Sequence, residues 1–257
     1  MKITIPEEYP YLYETHLHTC QASACAKNTG AEMAKALKEA GYAGTFVTDH
    51  NWGGNTCINR ELDWEDWMEA YASGYRDAKK FGDENDFQVF FGMETGYHGT
   101  EFLIVGFTPE WFKENPEIRR CTISGQYELV HKAGGMVVQA HPFRIEPYIM
   151  EVQNFPDDVD AFEGCNATHS SPLSISHNVP DWDDLARKLA HQTGKPMTSG
   201  SDIHSTSLFG GGIAFKTKLK DDKDYIHRIL HEKDYIFSDG AYWRNYDGEI
   251  ICPFEMK

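Results

Sequence analysis

Short apolar runs alternate with amphipathic stretches along most of the chain. The runs at 45–48, 88–93, 102–107, 136–140, 160–163 and 196–199 read as strands, and helical patterns lie between most of them, at 29–42, 63–80, 124–134, 181–193 and 222–231. In the first of these patterns, Thr29 and Glu32 have capping-box spacing and Met33, Ala36, Leu37 and Ala40 share one face; Gly41 and Gly44 mark the stop. Trp64, Trp67, Met68 and Tyr71, spaced by three and four, read as a face packed into the core. Such alternation predicts an α/β fold built on parallel strands. No Pro/Ser-rich linker, low-complexity tract or longer repeat interrupts it, so residues 1–257 are expected to form a single domain. Gly210-Gly211-Gly212 reads as a turn, and 164–181 as a long polar loop of the kind that carries function.

Composition narrows the function classes. A chain of 257 residues with 40% hydrophobic residues can bury a substantial core, and no apolar stretch approaches the length needed to cross a bilayer. The first ten residues are polar and include Glu7 and Glu8, unlike a secretory signal. Six cysteines are scattered without a Cys-x-x-Cys pair, which favours reduced thiols and a cytoplasmic protein. The net charge of -16 argues against long nucleic acid as a partner, because a phosphate backbone needs neutralising lysines and arginines. A small phosphorylated substrate remains compatible, since ions held by carboxylates do not appear in that sum.

The candidate chemistry gathers at the ends of the apolar runs. His16-Leu17-His18 near one end and Asp202-Ile203-His204 near the other each place two donors at i and i+2, on the same side of an extended strand. Between them, Asp49-His50, Glu94 and His141-Pro142 each follow a short apolar run. In parallel α/β folds the carboxyl ends of strands are where ligands collect, so the five groups predict one metal site closed by the whole fold. Asp49 fits either a carboxylate that orients a histidine or an ordinary turn or cap residue. No Gly-x-Ser-x-Gly elbow and no Gly-x-Gly-x-x-Gly loop is present.

Taken in order, His16-x-His18-Thr19, Thr48-Asp49-His50, Gly92-Met93-Glu94, His141-Pro142 and Gly200-Ser201-Asp202-Ile203-His204 resemble the motifs of the PHP (polymerase and histidinol phosphatase) family, from His16 to about Phe215. The resemblance implies a distorted seven-stranded (β/α) barrel, TIM-like, with its metal site at the C-terminal ends of the strands. It implies a metal-dependent hydrolase of small phosphate esters that activates water with two or three divalent ions, zinc, manganese or iron. His16, His18, Glu94 and Asp202 would hold a first ion, Glu94 would bridge to a second served by His141, and His50 and His204 would face a third.

Two positions depart from the family's pattern. Ala24 stands where many members carry a His or Asp, and Thr108 follows Gly106-Phe107 where others carry a His. Cys25, His98 and Glu101 are the candidates to replace the missing ligands. Glu94 and Asp202 would be essential to catalysis. Arg144, three residues after His141, is the candidate to grip phosphate, with a surface ion pair as the alternative. Asn166 and His177 would lean over the site from the polar loop, with His177 as the general acid or an ordinary surface residue. Two other readings stand beside the phosphoesterase: a metal-dependent amidohydrolase-type enzyme, and a non-catalytic phospho-ligand sensor, which Ala24 keeps open.

Overall fold

The computed structural model describes residues 2–257. Among these residues a single curled sheet runs through the molecule. Its strands are β1 (Tyr11–Leu17), β2 (Gly44–Val47), β3 (Gln88–Tyr97), β4 (Thr100–Val105), β5 (Met136–Gln139), β6 (Ala161–Asn166), β7 (Met197–Gly200), β8 (Gly211–Phe215), β9 (Tyr235–Asp239), β10 (Tyr242–Asn245) and β11 (Ile250–Pro253), in the spatial order β11-β10-β9-β8-β1-β2-β3-β4-β5-β6-β7. The helices are α1 (Gly30–Ala40), α2 (Trp64–Tyr71), α3 (Ser73–Glu84), α4 (Pro109–Glu114), α5 (Ile123–Lys132), α6 (Ala167–Ser170), α7 (Pro180–Thr193) and α8 (Asp222–His227).

The sheet is mixed, which corrects the expected seven-stranded parallel pattern. Pairs β1/β2, β2/β3, β5/β6 and β6/β7 are parallel, whereas β4 runs antiparallel to both β3 and β5. β3 and β4 form a tight hairpin through His98 and Gly99, both at positive φ as a two-residue turn of that kind requires. The strands from β8 to β11 are all antiparallel, and the Gly-rich segment read as a turn enters β8 at Gly211. The helical pattern at 63–80 divides into α2 and α3 at Ala72.

Curling brings the far edge back to the start. Just past the end of β7, Ile203 pairs with Leu17 in an isolated parallel bridge. Gly200 permits that approach, because a Cβ there would stand 2.4 Å from the Cβ of His16. The two outermost ligand pairs of the sequence thereby become neighbours.

Around the sheet, Met33, Leu37 and Ala40 of α1 are buried as their spacing required, whereas Ala36 is only partly buried and Ala34 is buried in its place; the capping box of Thr29 and Glu32 is complete, with Gly41 closing the helix in the left-handed conformation. Trp67, Met68 and Tyr71 are buried and Trp64 packs beside them. All six cysteines are free, and no described helix is long and apolar enough to cross a membrane. Removing the cap by Thr29→Ala should cost about 1 kcal/mol, read as a lower denaturation midpoint; no shift would mean that the cap contributes nothing.

Candidate metal centre

Glu94 is the centre of the site. Its carboxylate lies 3.1 Å from His16 Nε2, 3.6 Å from His18 Nε2, 2.5 Å from His50 Nδ1 and 3.3 Å from His141 Nε2. Beyond the last β2/β3 pair, Val47 with Phe91, β3 runs on past Glu94 to Tyr97, and an isolated bridge joins Glu94 to His50. Asp202 closes the ring, with Oδ1 3.1 Å from His18 Nε2 and 3.4 Å from His16 Nε2. His141 and Asp202 sit two residues beyond β5 and β7 with φ of 28° and 52°. Two β-carbon-bearing ligands held in this disfavoured region mark a place where geometry outweighs local comfort.

The proton positions of two histidines follow from their outer partners. His16 Nδ1 lies 2.9 Å from Glu163 Oε1, a buried carboxylate, so that nitrogen donates and Nε2 points at Glu94 and Asp202. His18 Nδ1 lies 3.1 Å from Ser23 Oγ, which itself donates to Asp49 Oδ1 at 2.6 Å and receives the His50 backbone N–H. Burial raises Asp49 to about 6, leaving it anionic at neutral pH, so the serine proton goes to Asp49 and the His18 proton to Ser23. Asp49 therefore orients a histidine through Ser23.

Burial, together with His204 and His50, holds the His18 pKa well below the usual value, so this ring is neutral. Asp202 is ionised: burial opposes its charge, but His16 and Arg144 outweigh it. A histidine lone pair thus faces a carboxylate oxygen at 3.1 Å with no hydrogen between them. Acceptor against acceptor in a dry interior is unfavourable unless a cation stands between. His16 Nε2, His50 Nδ1 and Glu94 Oε2 are buried without a hydrogen-bond partner. Although burial opposes their charge, Asp202 and Glu163 raise His16, and Glu94 raises His50, well above the usual imidazole value, so the ring of carboxylates calls for positive charge here too. The donor set fits divalent metal: four three-residue groups converge, His16/His18/Glu94, His16/His141/Asp202, His18/His50/His204 and His50/Glu94/Glu101.

Each expected site residue can now be placed. His16, His18, His50, Glu94, His141, Asp202 and His204 come together. Of the replacement candidates, Glu101 reaches the cluster, 3.5 Å from His141 Nε2 and 3.8 Å from His50 Nδ1, and burial and Glu94 raise its pKa to about 8. Cys25 lines the same cavity; burial pushes its thiol up, but hydrogen bonds with His204 and His50 outweigh this and bring it to about 6. His98 is exposed at the hairpin tip, away from the cluster.

Three expectations change. Asn166 is fully buried behind the site, donating to Glu163 and accepting from Thr168, so it presents nothing to a substrate. Arg144 is a buried residue of the cavity wall and is already engaged, donating to Asp202 Oδ2 at 2.6 Å, His169 Nε2 at 3.0 Å and Thr168 Oγ1 at 3.3 Å. His177 lies on the rim, 2.9 Å from Glu146, and burial with Arg144 lowers it to about 4, so its ring is neutral at pH 7 and has no acidic proton to give.

Glu163 is the residue that sequence reasoning passed over: besides His16 it receives the His141 backbone N–H at 2.9 Å and fixes Asn166. The available signal was an acid at the end of an apolar strand run. Behind Arg144, His169 is held in turn by Asp183 at 2.8 Å.

The cavity over this cluster measures about 520 Å³. No protein-family model and no curated protein matches the chain. Among solved structures, a two-domain protein from Bacteroides vulgatus containing a predicted PHP-like metal-dependent phosphoesterase superposes with a TM-score of 0.64 at 11% identity, over 95% of this chain and 70% of that one. The chain shares the fold of a PHP-like phosphoesterase. A candidate metal-dependent phosphoesterase from Bifidobacterium adolescentis follows at TM-score 0.54 and 13% identity, over 85% of this chain and 95% of that one. An amidohydrolase from Chromobacterium violaceum, solved with sulfate and no metal, gives 0.51 and 14%, over 75% and 87%. At these identities the likeness establishes the fold.

Two measurements probe the centre. Glu163→Gln keeps the shape of the side chain but removes its charge from His16, and should weaken metal affinity by about 10–100-fold in a competitive chelator titration; unchanged affinity would detach Glu163 from the site. Chelation of protein equilibrated with free ion at a hundred times Kd should lower the unfolding free energy by about 2.7 kcal/mol, read from denaturant melts. A melt indifferent to chelator would contradict a native site that binds metal.

Proposed function

We propose that this protein is a metal-dependent hydrolase of small phosphate esters. The observation that carries the reading is the His18–Asp202 contact, two acceptors at 3.1 Å in a buried ring of imidazoles around Glu94. His16, His18, Glu94 and Asp202 would hold one ion, and His50, His141 and Glu101 would complete a second on the other side of Glu94. His18, His50 and His204 form an alternative group for one of these ions, because His18, with Nδ1 on Ser23, has a single nitrogen to give. Bound divalent ions would supply an acidified water and positive charge for the phosphoryl oxygens.

The chain's own groups divide the remaining work. Asp202 and Glu94 fix the ring, and Glu163 and Ser23 keep the Nε2 atoms of His16 and His18 turned inward. Arg144 spends three of its five N–H groups on Asp202, His169 and Thr168, leaving two for a phosphoryl oxygen at the cavity wall. His177, neutral and anchored to Glu146, would bond substrate from the rim without delivering a proton. The likeness to two phosphoesterase folds supports a phosphate ester as substrate.

The amidohydrolase-fold neighbour supports a second reading, hydrolysis of an amide or other carbonyl bond in the same cavity. Phosphate-ester and amide panels run side by side with added zinc, manganese or iron separate the two. Phosphate release that needs the ion and falls to background in Glu94→Gln is the expected result. Turnover of amides alone would replace the proposal with the second reading, and phosphate release surviving in Glu94→Gln would remove Glu94 from the chemistry.

A further inference from the structure

A second cavity of about 500 Å³ adjoins the metal cavity, and Gly53, Gly96, Gly99 and Tyr148 line both. Its floor at the junction is bare backbone: a Cβ on Gly53 would lie 2.4 Å from the Gly96 carbonyl oxygen, so the two glycines pack with no side chain between the cavities. The walls are aromatic. Trp52 and Tyr97 are partly exposed, and Tyr148, on the segment after Arg144, is 58% exposed although it borders a cavity. Trp52 is fixed edge-on to Trp64 at 5.0 Å, and Tyr97 is held by its hydroxyl on Gln126 Oε1 at 3.0 Å.

The charge of this cavity is opposite to that of the chain. In a protein of net charge -16, no carboxylate lines it, and Arg119 does. Arg119 lies with its guanidinium 4.8 Å from the centre of the Trp64 ring. It makes no ion pair or hydrogen bond through its side chain with any described residue, and its Nε is buried without a partner. Arg144 presents the contrast, since its guanidinium is committed to Asp202. A free guanidinium backed by an indole beside aromatic walls suits a planar, anionic group.

The geometry points to a leaving-group subsite in which Trp52, Tyr97 and Tyr148 receive an aromatic ring and Arg119 receives an acidic substituent on it. Resting on the phosphoesterase reading, this names the substrate class as phosphate monoesters of aromatic alcohols that carry a carboxylate or similar anion. The phosphoryl group lies over the metal cluster, the ring crosses the bare glycine junction beside Tyr148, and the anion ends at Arg119. The ester oxygen leaves with the ring as the alcohol, and water supplies the oxygen gained by phosphate and the proton gained by the alcohol.

Calorimetric titration of the protein as purified, with 4-hydroxybenzoate, 4-hydroxybenzyl alcohol and phenol, tests the subsite without turnover. The expected result is that 4-hydroxybenzoate binds about tenfold more tightly than the two neutral phenols, that Arg119→Gln abolishes the preference, and that Arg119→Lys keeps part of it. Tyr148→Ala should weaken all three. In kinetics, kcat/KM for 4-carboxyphenyl phosphate over phenyl phosphate should show the same ratio and fall to near unity in Arg119→Gln. A preference that persists in folded Arg119→Gln would take the carboxylate off Arg119 and overturn the assignment, and a wild-type protein that does not discriminate would overturn it as well. Hydrolysis of phenyl phosphate without discrimination sinks the subsite alone. Discrimination in binding without hydrolysis of either ester sinks the phosphoesterase reading and leaves the subsite standing.

Discussion

His18 and Asp202 meet acceptor to acceptor in a dry interior, and the rest of the site is arranged to keep them there. Without a cation, the cheapest relief would be for either side chain to turn away. Neither is free to do so. His18 is tied through Ser23 to Asp49, and Asp202 is tied through Arg144 to His169 and Asp183. Each ligand is thus the inner end of a chain of hydrogen bonds whose outer end is a buried carboxylate. Such an arrangement costs folding free energy when empty and returns it on binding metal, so the fold and the ion are coupled.

That coupling explains why the sheet must curl. Ligands on β1, β3 and β4, and beyond the ends of β2, β5 and β7, converge only when the segment after β7 returns to β1, and Gly200 removes the one Cβ that would keep β7 and His16 apart. It also accounts for the positive φ at His141 and Asp202: strain at these two ligands is carried by the surrounding pairing, not by local preference. The cavity above them opens sideways onto the aromatic wall near Tyr148, so the reacting end and the recognising end of a substrate are built from different segments.

The ligand set was legible because i, i+2 donors at strand ends have few other uses, and His16, His18, His50, Glu94, His141, Asp202 and His204 do converge. Glu163 was not legible: an acid in a strand run looks the same whether it faces solvent or braces a histidine, and only the curl of the sheet decides. Glu101 could be separated from His98 only by the hairpin, which sends one inward and leaves the other at the tip. Asn166 and His177 share a polar segment, yet Asn166 continues β6 into the interior while His177 reaches the rim. The parallel half of the sheet followed from its alternation with helices, whereas β8 to β11 are strands of four or five residues, and glycines introduce β8, β10 and β11, where a turn and a strand start read alike. Antiparallel β4 was hidden because the run at 102–107 carries no mark of direction.

The claim on which everything else rests is that the ring around Glu94 is a metal site. Elemental analysis of protein purified without chelators and dialysed against metal-free buffer tests it most directly. The account predicts more than one equivalent of transition metal per chain, falling sharply in a folded His18→Ala variant. Protein that retains no ion, and takes up none from buffered zinc, manganese or iron, would contradict it.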